Sequence, residues 1–191
     1  MKRCLTSGFS RGVAAAVAGM AMALSPTAWA ALDIGDNAPK FTAQAALAGK
    51  VISYSLAEQL SAGAVVVYFF PMSFTEGCSL EARQFAEAID SFKAAGASVI
   101  GVSRDDIESQ KKFSATECRG KFPVASDADQ KIMKSFDAVW PARPEYANRM
   151  SYVITPDGKV LYQFTSLNPA KHVENTLNAV TAWRKTQTSV K

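Results

Sequence analysis

The clearest pattern in the chain is an unbroken run of seven apolar residues, Ala64 to Phe70, rich in β-branched and aromatic side chains. It is too short for an ordinary helix and reads as a strand buried on both faces, closed by Pro71. The spacing then turns helical. Ala82, Phe85, Ile89 and Phe92 share one stripe while Glu81, Arg83, Glu87 and Lys93 lie off it, which predicts a helix from about Glu76 to Ala95. Acidic residues near its start, Lys93 near its end and Gly96 beyond suit the helix dipole and a glycine stop. Ala97 to Val102 is a second buried strand. Asp105 with Glu108 resembles a capping box for a helix running towards Cys118 and stopped by Gly120. Phe122 to Ala125 reads as a short strand, and Asp129 as the cap of a short helix through Phe136. Residues 137–148, with Pro141 and Pro144, read as a loop. Ser151 to Ile154 and Lys159 to Phe164 are strands joined by the turn Thr155-Pro156-Asp157-Gly158, and Val160, Tyr162 and Phe164 share a face. Asn168-Pro169 opens a final helix with the stripe Val173, Leu177, Val180 and Trp183. Upstream, residues 31–50 read as an extended lead-in and Val51 to Leu56 as a short edge strand.

Alternating strands and helices followed by a late hairpin predict an α/β domain: a central mixed sheet with helices on both faces. The thioredoxin fold has this plan, which by itself names no function. The 191 residues suffice for one domain with a sizeable core. Residues 1–30 have the pattern of a secretory signal: basic Lys2, Arg3 and Arg11, an apolar stretch from Val13 to Leu24, then Ser25-Pro26 and Ala28-Trp29-Ala30. That stretch falls short of the roughly 20 residues needed to span a bilayer, so the segment reads as cleaved after Ala30 and not as an anchor. The expected product is residues 31–191, exported, most simply to a periplasm, with no stable membrane insertion. Removing the leader leaves 18 basic against 17 acidic residues, and this near-neutral balance gives no electrostatic case for nucleic acid.

Processing would also remove Cys4, leaving Cys78, Cys118 and the single histidine His172. Cys78 falls in the first turn of a helix that follows a buried strand. There the unpaired helix amides and the positive end of the dipole favour a thiolate, the reactive form of cysteine. The plainer alternative is an inert buried thiol, the commoner fate of a free cysteine. His172 lies beside the core stripe of the last helix and reads as a partly exposed surface residue. Glu81 reads as a helix-stabilising charge. One histidine and two separated cysteines do not make a metal site, and no cofactor is expected.

The residues around Cys78 favour chemistry. Pro71-Met72-Ser73-Phe74-Thr75-Glu76-Gly77-Cys78 is P-x-x-x-T-x-x-C, which resembles the active-site signature of the peroxiredoxins. Gly35-Asp36-Asn37-Ala38-Pro39-Lys40-Phe41 resembles the start of that domain. Residues 97–103 resemble its next strand, and Arg149-Met150-Ser151-Tyr152-Val153-Ile154 the strand that carries its arginine. The likeness spans roughly residues 33–180, and Gly77-Cys78-Ser79-Leu80-Glu81-Ala82 is most similar to the bacterioferritin-comigratory, or Q-type, branch. It implies a thiol peroxidase that acts on hydroperoxides and is regenerated by a thiol reductant. Cys78 would be the peroxidatic cysteine, Thr75 would hydrogen-bond the peroxide, Pro71 would shield the pocket, and Arg149 would stabilise the thiolate and the developing charge. Arg143, in the proline-containing loop, is the substitute for Arg149.

Many members of this branch carry a resolving cysteine five residues after the peroxidatic one, but that position is Arg83 here. Others place it in the next helix, which implies that Cys118, 40 residues on, resolves. Cys118 as a spectator and Cys78–Cys118 as a permanent bridge stay open at this stage. Closing such a loop would stabilise by about 4 kcal/mol but would block the nucleophile. Two other functions use this fold. A disulfide exchanger wants Cys-x-x-Cys, whereas Thr75 and Glu81 flank Cys78. A copper-delivery protein wants Cys-x-x-x-Cys and a nearby histidine, whereas position 82 is alanine.

Overall fold

The structure, a computed structural model, describes residues 31–188. The proposed leader lies outside them. Seven strands form one mixed sheet: β1 (Thr42–Leu47), β2 (Lys50–Ser55), β3 (Ala64–Phe69), β4 (Ala97–Ser103), β5 (Val124–Ser126), β6 (Met150–Ile154) and β7 (Val160–Thr165), in the order β2-β1-β5-β4-β3-β6-β7. β3, β4 and β5 run parallel and the remaining pairings are antiparallel. Five helices complete the domain: α1 (Leu56–Ala62), α2 (Glu76–Ala94), α3 (Ile107–Thr116), α4 (Lys131–Ser135) and α5 (Pro169–Thr188).

β3 is fully buried, as its composition predicts, and its alternating side chains divide the core. Val65, Val67 and Phe69 pack with Leu56 and Leu60 of α1 and with Ile132 and Met133 of α4. Val66, Tyr68 and Phe70 pack with Phe85 and Ile89 of α2, Phe113 of α3 and Val180 of α5. Both cysteines belong to this second layer. The expected plan, a mixed sheet with helices on both faces, is the one observed.

Four expectations need correction. Residues 42–47 are not a lead-in but β1, hydrogen-bonded to β2 on one side and β5 on the other. Residues 56–62 form α1, capped by Ser55 Oγ, which accepts from the Glu58 amide. The cap of α3 is Asp106, whose carboxylate accepts from Ser109 N at 2.7 Å, and not Asp105. Asp105 instead accepts from Ser73 N (2.8 Å) and from Ser103 Oγ (2.6 Å). The start of α4 is likewise held chiefly by Asp127, which accepts from the amides of Ile132 and Met133, while Asp129 accepts from Lys131 N and pairs with the Lys131 ammonium.

Candidate active site

β3 ends at Phe69, and Pro71 opens the loop that leads to α2. Two devices fix that loop. Phe74 adopts a left-handed backbone (φ 64°), uncommon for a bulky residue, and turns the chain back while its ring packs edge-on against Phe113. Behind it, Ser73 is tied by its amide to Asp105 and by its hydroxyl to Gln110, itself bonded to Ser103 Oγ and to the Ala125 carbonyl. The loop is thereby anchored to β4, α3 and β5 before it delivers Cys78 as the third residue of α2. At that position its amide has no acceptor within the helix, because the first i to i−4 bond is Ser79 N to Thr75 O at 2.8 Å. Thr75 occupies the N-cap position, but its hydroxyl donates to the Met72 carbonyl at 3.0 Å and makes no cap bond.

Arg149 enters from the other side, immediately before β6. Its Nη2 donates to Cys78 Sγ at 3.3 Å. Gly77 leaves room for that approach. A Cβ there would sit 3.2 Å from Arg149 Nη2, close enough that the guanidinium would have to give by a few tenths of an ångström. Pro71, Thr75, Cys78 and Arg149 meet at one cavity of about 230 Å3, completed by Met72 and, from the 137–148 loop, by Trp140, Arg143 and Tyr146. The Cys78 side of it is enclosed, since that residue is 1% exposed. The Arg143 guanidinium lies over the Tyr146 ring at 5.2 Å and does not reach the sulfur as Arg149 does. Four of the five anticipated site residues therefore come together. Cys118 does not line this cavity.

A model of the AhpC/TSA family matches residues 34–163. The chain belongs to the AhpC/TSA family. Its relatives include the peroxiredoxin Bcp of Xanthomonas campestris pv. campestris, 30% identical over 126 residues that cover 63% of this chain and 78% of that protein. The chloroplastic peroxiredoxin Q of Populus jackii is 35% identical over 152 residues, covering 79% of this chain and 69% of the relative. Among solved structures, peroxidoxin BcpB of Mycobacterium tuberculosis superposes with a TM-score of 0.71 at 28% identity, over 78% of this chain and 96% of that one. Xylella fastidiosa PrxQ superposes with a TM-score of 0.72 at 25% identity, over 81% and 98%. The chain is thus a peroxiredoxin of the Bcp and Q type with a thioredoxin-like fold. It is a thiol-dependent peroxidase, as the motif at residues 71–78 implied.

Two polar residues of this peroxiredoxin lie elsewhere than the sequence suggested. Glu81 is not a surface charge. It is completely buried one turn after Cys78, with Oε2 paired to Arg149 Nη1. The helix is covered on more than one side: the sheet takes the predicted stripe, and Arg149 with α5 takes the neighbouring one. Burial pushes the Glu81 carboxyl up to about 8, against the opposing pull of the Arg149 charge and hydrogen bond. His172 is also fully buried, because the inward stripe of α5 is His172, Thr176 and Val180, with Val173, Leu177 and Trp183 flanking it. Burial lowers the imidazole to about 4, so it is neutral near pH 7. The sequence signal for Glu81 was present but ambiguous: an acidic residue one turn along the same helix as Cys78, with an arginine assigned to the same site.

Cys118 lies two residues beyond α3, completely buried among apolar side chains, and neither thiol is bonded to the other. Its backbone is held in a tight turn by Cys118 N to Phe113 O and Gly120 N to Ser114 O. Burial, with a smaller contribution from the Glu117 charge, pushes its thiol up. The flanking residues tie this turn to α2 through Arg83–Glu117 (2.6 Å) and Glu87–Arg119 (3.2 Å).

Proposed function

We propose that Cys78 is the peroxidatic nucleophile and that the cavity beside it receives hydrogen peroxide or an organic hydroperoxide. The observation that carries this reading is the 3.3 Å contact between Arg149 Nη2 and Cys78 Sγ in a cavity that Thr75 and Pro71 also line. The thiolate sulfur attacks the terminal peroxide oxygen. A sulfur–oxygen bond forms as the O–O bond breaks, leaving a sulfenic acid and releasing water or an alcohol once the departing oxygen takes a proton. Negative charge moves from sulfur to that oxygen during the step, so donors already fixed around it lower the barrier. Arg149 supplies such donors. The Thr75 hydroxyl, already donating to Met72 O, has lone pairs left to accept from the peroxide. Pro71 shields the rim.

In the second step Cys118 attacks the sulfenic sulfur, the S–S bond forms and water leaves. Both thiols are buried and Cys118 sits in a closed turn, so this step requires local unwinding around residues 114–121 or at the start of α2. An external thiol reductant then returns both cysteines to thiols. We place the reaction outside the cytoplasm, on the strength of the leader pattern in residues 1–30.

Cys78→Ser should abolish peroxide consumption, because a hydroxyl is not ionised near neutral pH. Retained turnover at the wild-type rate would sink the proposal. Mass spectrometry after one equivalent of peroxide tests the second step. The wild type should lose two hydrogens and gain no oxygen, whereas Cys118→Ser should keep oxygen on Cys78. A wild-type protein that keeps a stable sulfenic acid while Cys118 remains alkylatable would assign resolution to an external thiol.

A further inference from the structure

Cys118 sits between two charged neighbours in the chain, and each is held from α2. Glu117 pairs with Arg83 at 2.6 Å and Arg119 with Glu87 at 3.2 Å. Arg83 and Glu87 stand four residues apart, so they share one face of the helix. An arginine followed by a glutamate is the weaker order for pairing along a helix, and here both side chains reach across to the turn instead. The turn they engage has a demanding shape. Arg119 (φ 51°) and Gly120 (φ 65°) are both left-handed, a conformation that a non-glycine residue takes only at a cost. On the β1–β2 side the restraints are short-range: the Gly49 amide donates to Ser114 Oγ at 3.0 Å, and a Cβ on Gly120 would come within 3.1 Å of Ala48 Cβ. Cys118 itself shares a core layer with Phe85, Phe113 and Phe122. Of these restraints, the ion pairs are the ones that dissolved salt screens.

We propose that Arg83–Glu117 and Glu87–Arg119 form a latch over Cys118. Arg83 and Glu87 are then positioning residues that set how often the turn opens, and so how long a Cys78 sulfenic acid waits for its partner. This inference rests on the reading that peroxide oxidises Cys78 and that Cys118 resolves it. In the resolving step the Cys118 sulfur bonds to the sulfenic sulfur, the S–O bond breaks, and the departing hydroxide leaves as water with the Cys118 proton. Neither sulfur can reach the other while both are enclosed, so the opening of the turn precedes bond formation. Until it opens, a second hydroperoxide can give one oxygen to the sulfenic acid and leave as water or an alcohol, with a sulfinic acid as the product. The latch therefore sets the peroxide level at which over-oxidation overtakes disulfide formation. Exposed ion pairs are individually weak, so losing one should raise the opening frequency about twofold and losing both about fivefold.

Two measurements separate the latch from the chemistry. In Cys78→Ser protein, which cannot form the disulfide, buried Cys118 reacts with iodoacetamide only when its turn opens, and mass spectrometry of the Cys118 peptide reads the rate. Arg83→Gln combined with Glu87→Gln should label about fivefold faster in that background, and each change alone about twofold. Both side chains lie on the exposed face of α2, and the changes leave residues 117–119 intact, so the thiol of the open turn is the same in every variant. Raising sodium chloride from about 0.01 M to 1 M shortens the Debye length from about 30 Å to 3 Å, and should quicken labelling about threefold with the latch present and less than about 1.5-fold without it. With Cys78 restored, conversion of sulfenic acid to disulfide after one equivalent of hydrogen peroxide should follow the same ratios. Excess peroxide should leave the double variant with several-fold less sulfinic acid. Labelling that neither salt nor the double variant alters would overturn the inference. So would faster labelling in a variant whose disulfide forms at the wild-type rate. A wild-type chain that forms no Cys78–Cys118 disulfide at all would instead overturn the reading on which the inference stands.

Discussion

Cys78 and Cys118 invite comparison because the fold treats them alike in every respect but one. Both are buried, both lie in the same core layer, and both are unbonded thiols at a helix end. Cys78 is at the N-terminal end of α2, with a guanidinium against its sulfur and helix amides beneath it. Cys118 follows the C-terminal end of α3, where helix carbonyls gather, and the charge that acts on it is the like-signed Glu117. Burial and the Glu117 charge both disfavour a thiolate at Cys118, whereas the sulfur of Cys78 has a fixed donor against it. On the proposed reading, the identity of the neighbours, and not the degree of exposure, divides the attacking cysteine from the one that waits.

The sharpest way to break that contrast is to remove the guanidinium. Arg149→Ala should leave the fold intact and slow the peroxide step by about a hundredfold, the usual cost of losing one fixed donor at a developing charge. A stopped-flow rate within fivefold of wild type would move the role to Arg143. A gentler intervention leaves the arginine in place and alters its reach. Gly77→Ala adds one carbon 3.2 Å from Nη2 and should slow the step about fivefold to tenfold, while thermal melting shows no loss of stability, because alanine suits a helix better than glycine. Substitution at the other thiol should do the reverse. Cys118→Ser should keep the first step within about twofold of wild type, yet cost about 1–3 kcal/mol in urea titration, for a hydroxyl buried among apolar groups.

The smallest effect is on the pH dependence of stability. Glu81 titrates higher in the folded chain than its ordinary 4.5, so the stability linked to its proton is full below pH 4.5 and lost as pH rises through about 8. His172 titrates lower than its ordinary 6.5, so its contribution is present above pH 6.5 and lost as pH falls through about 4. The two oppose each other between pH 4.5 and 6.5, and above 6.5 the glutamate acts alone. The urea midpoint should therefore decline from pH 6.5 to 8, and Glu81→Gln should flatten that limb while Cys118→Ser leaves it in place. A wild-type midpoint that rises over this interval would contradict the assignment.

Much of this contrast was legible in the sequence. The run from Ala64 to Phe70 could only be a doubly buried strand, and the stripe from Ala82 to Phe92 only an amphipathic helix, so Cys78 was placed in its first turn without coordinates. Arg149 came from the resemblance at residues 149–154, not from periodicity. What escaped was what depends on a second neighbour. β1 is built largely of alanine, glutamine and threonine, and its strand character comes from pairing on both edges, not from propensity. Glu81 and His172 looked solvated because a helical wheel shows one apolar stripe and does not show that another element covers the next. The capping pair of α1, Ser55 and Glu58, was readable, but Ser55 fell at the end of the stretch read as a strand, Val51 to Leu56.

The division of the core by β3 has a consequence for how this protein can change over time. Val65, Val67 and Phe69 face a layer without either cysteine, while Val66, Tyr68 and Phe70 face the layer that holds both. The sheet acts as a party wall. Repacking on the α1 and α4 side alters stability but stops at the backbone, so that side is free to drift as long as volume is kept. On the other side, a single methylene is felt through Phe85 and Phe113 by the ground on which Cys78 and Cys118 stand. Tolerance to substitution should accordingly alternate along one strand, odd positions permissive and even positions strict, with a period of two residues and no relation to how deeply each is buried.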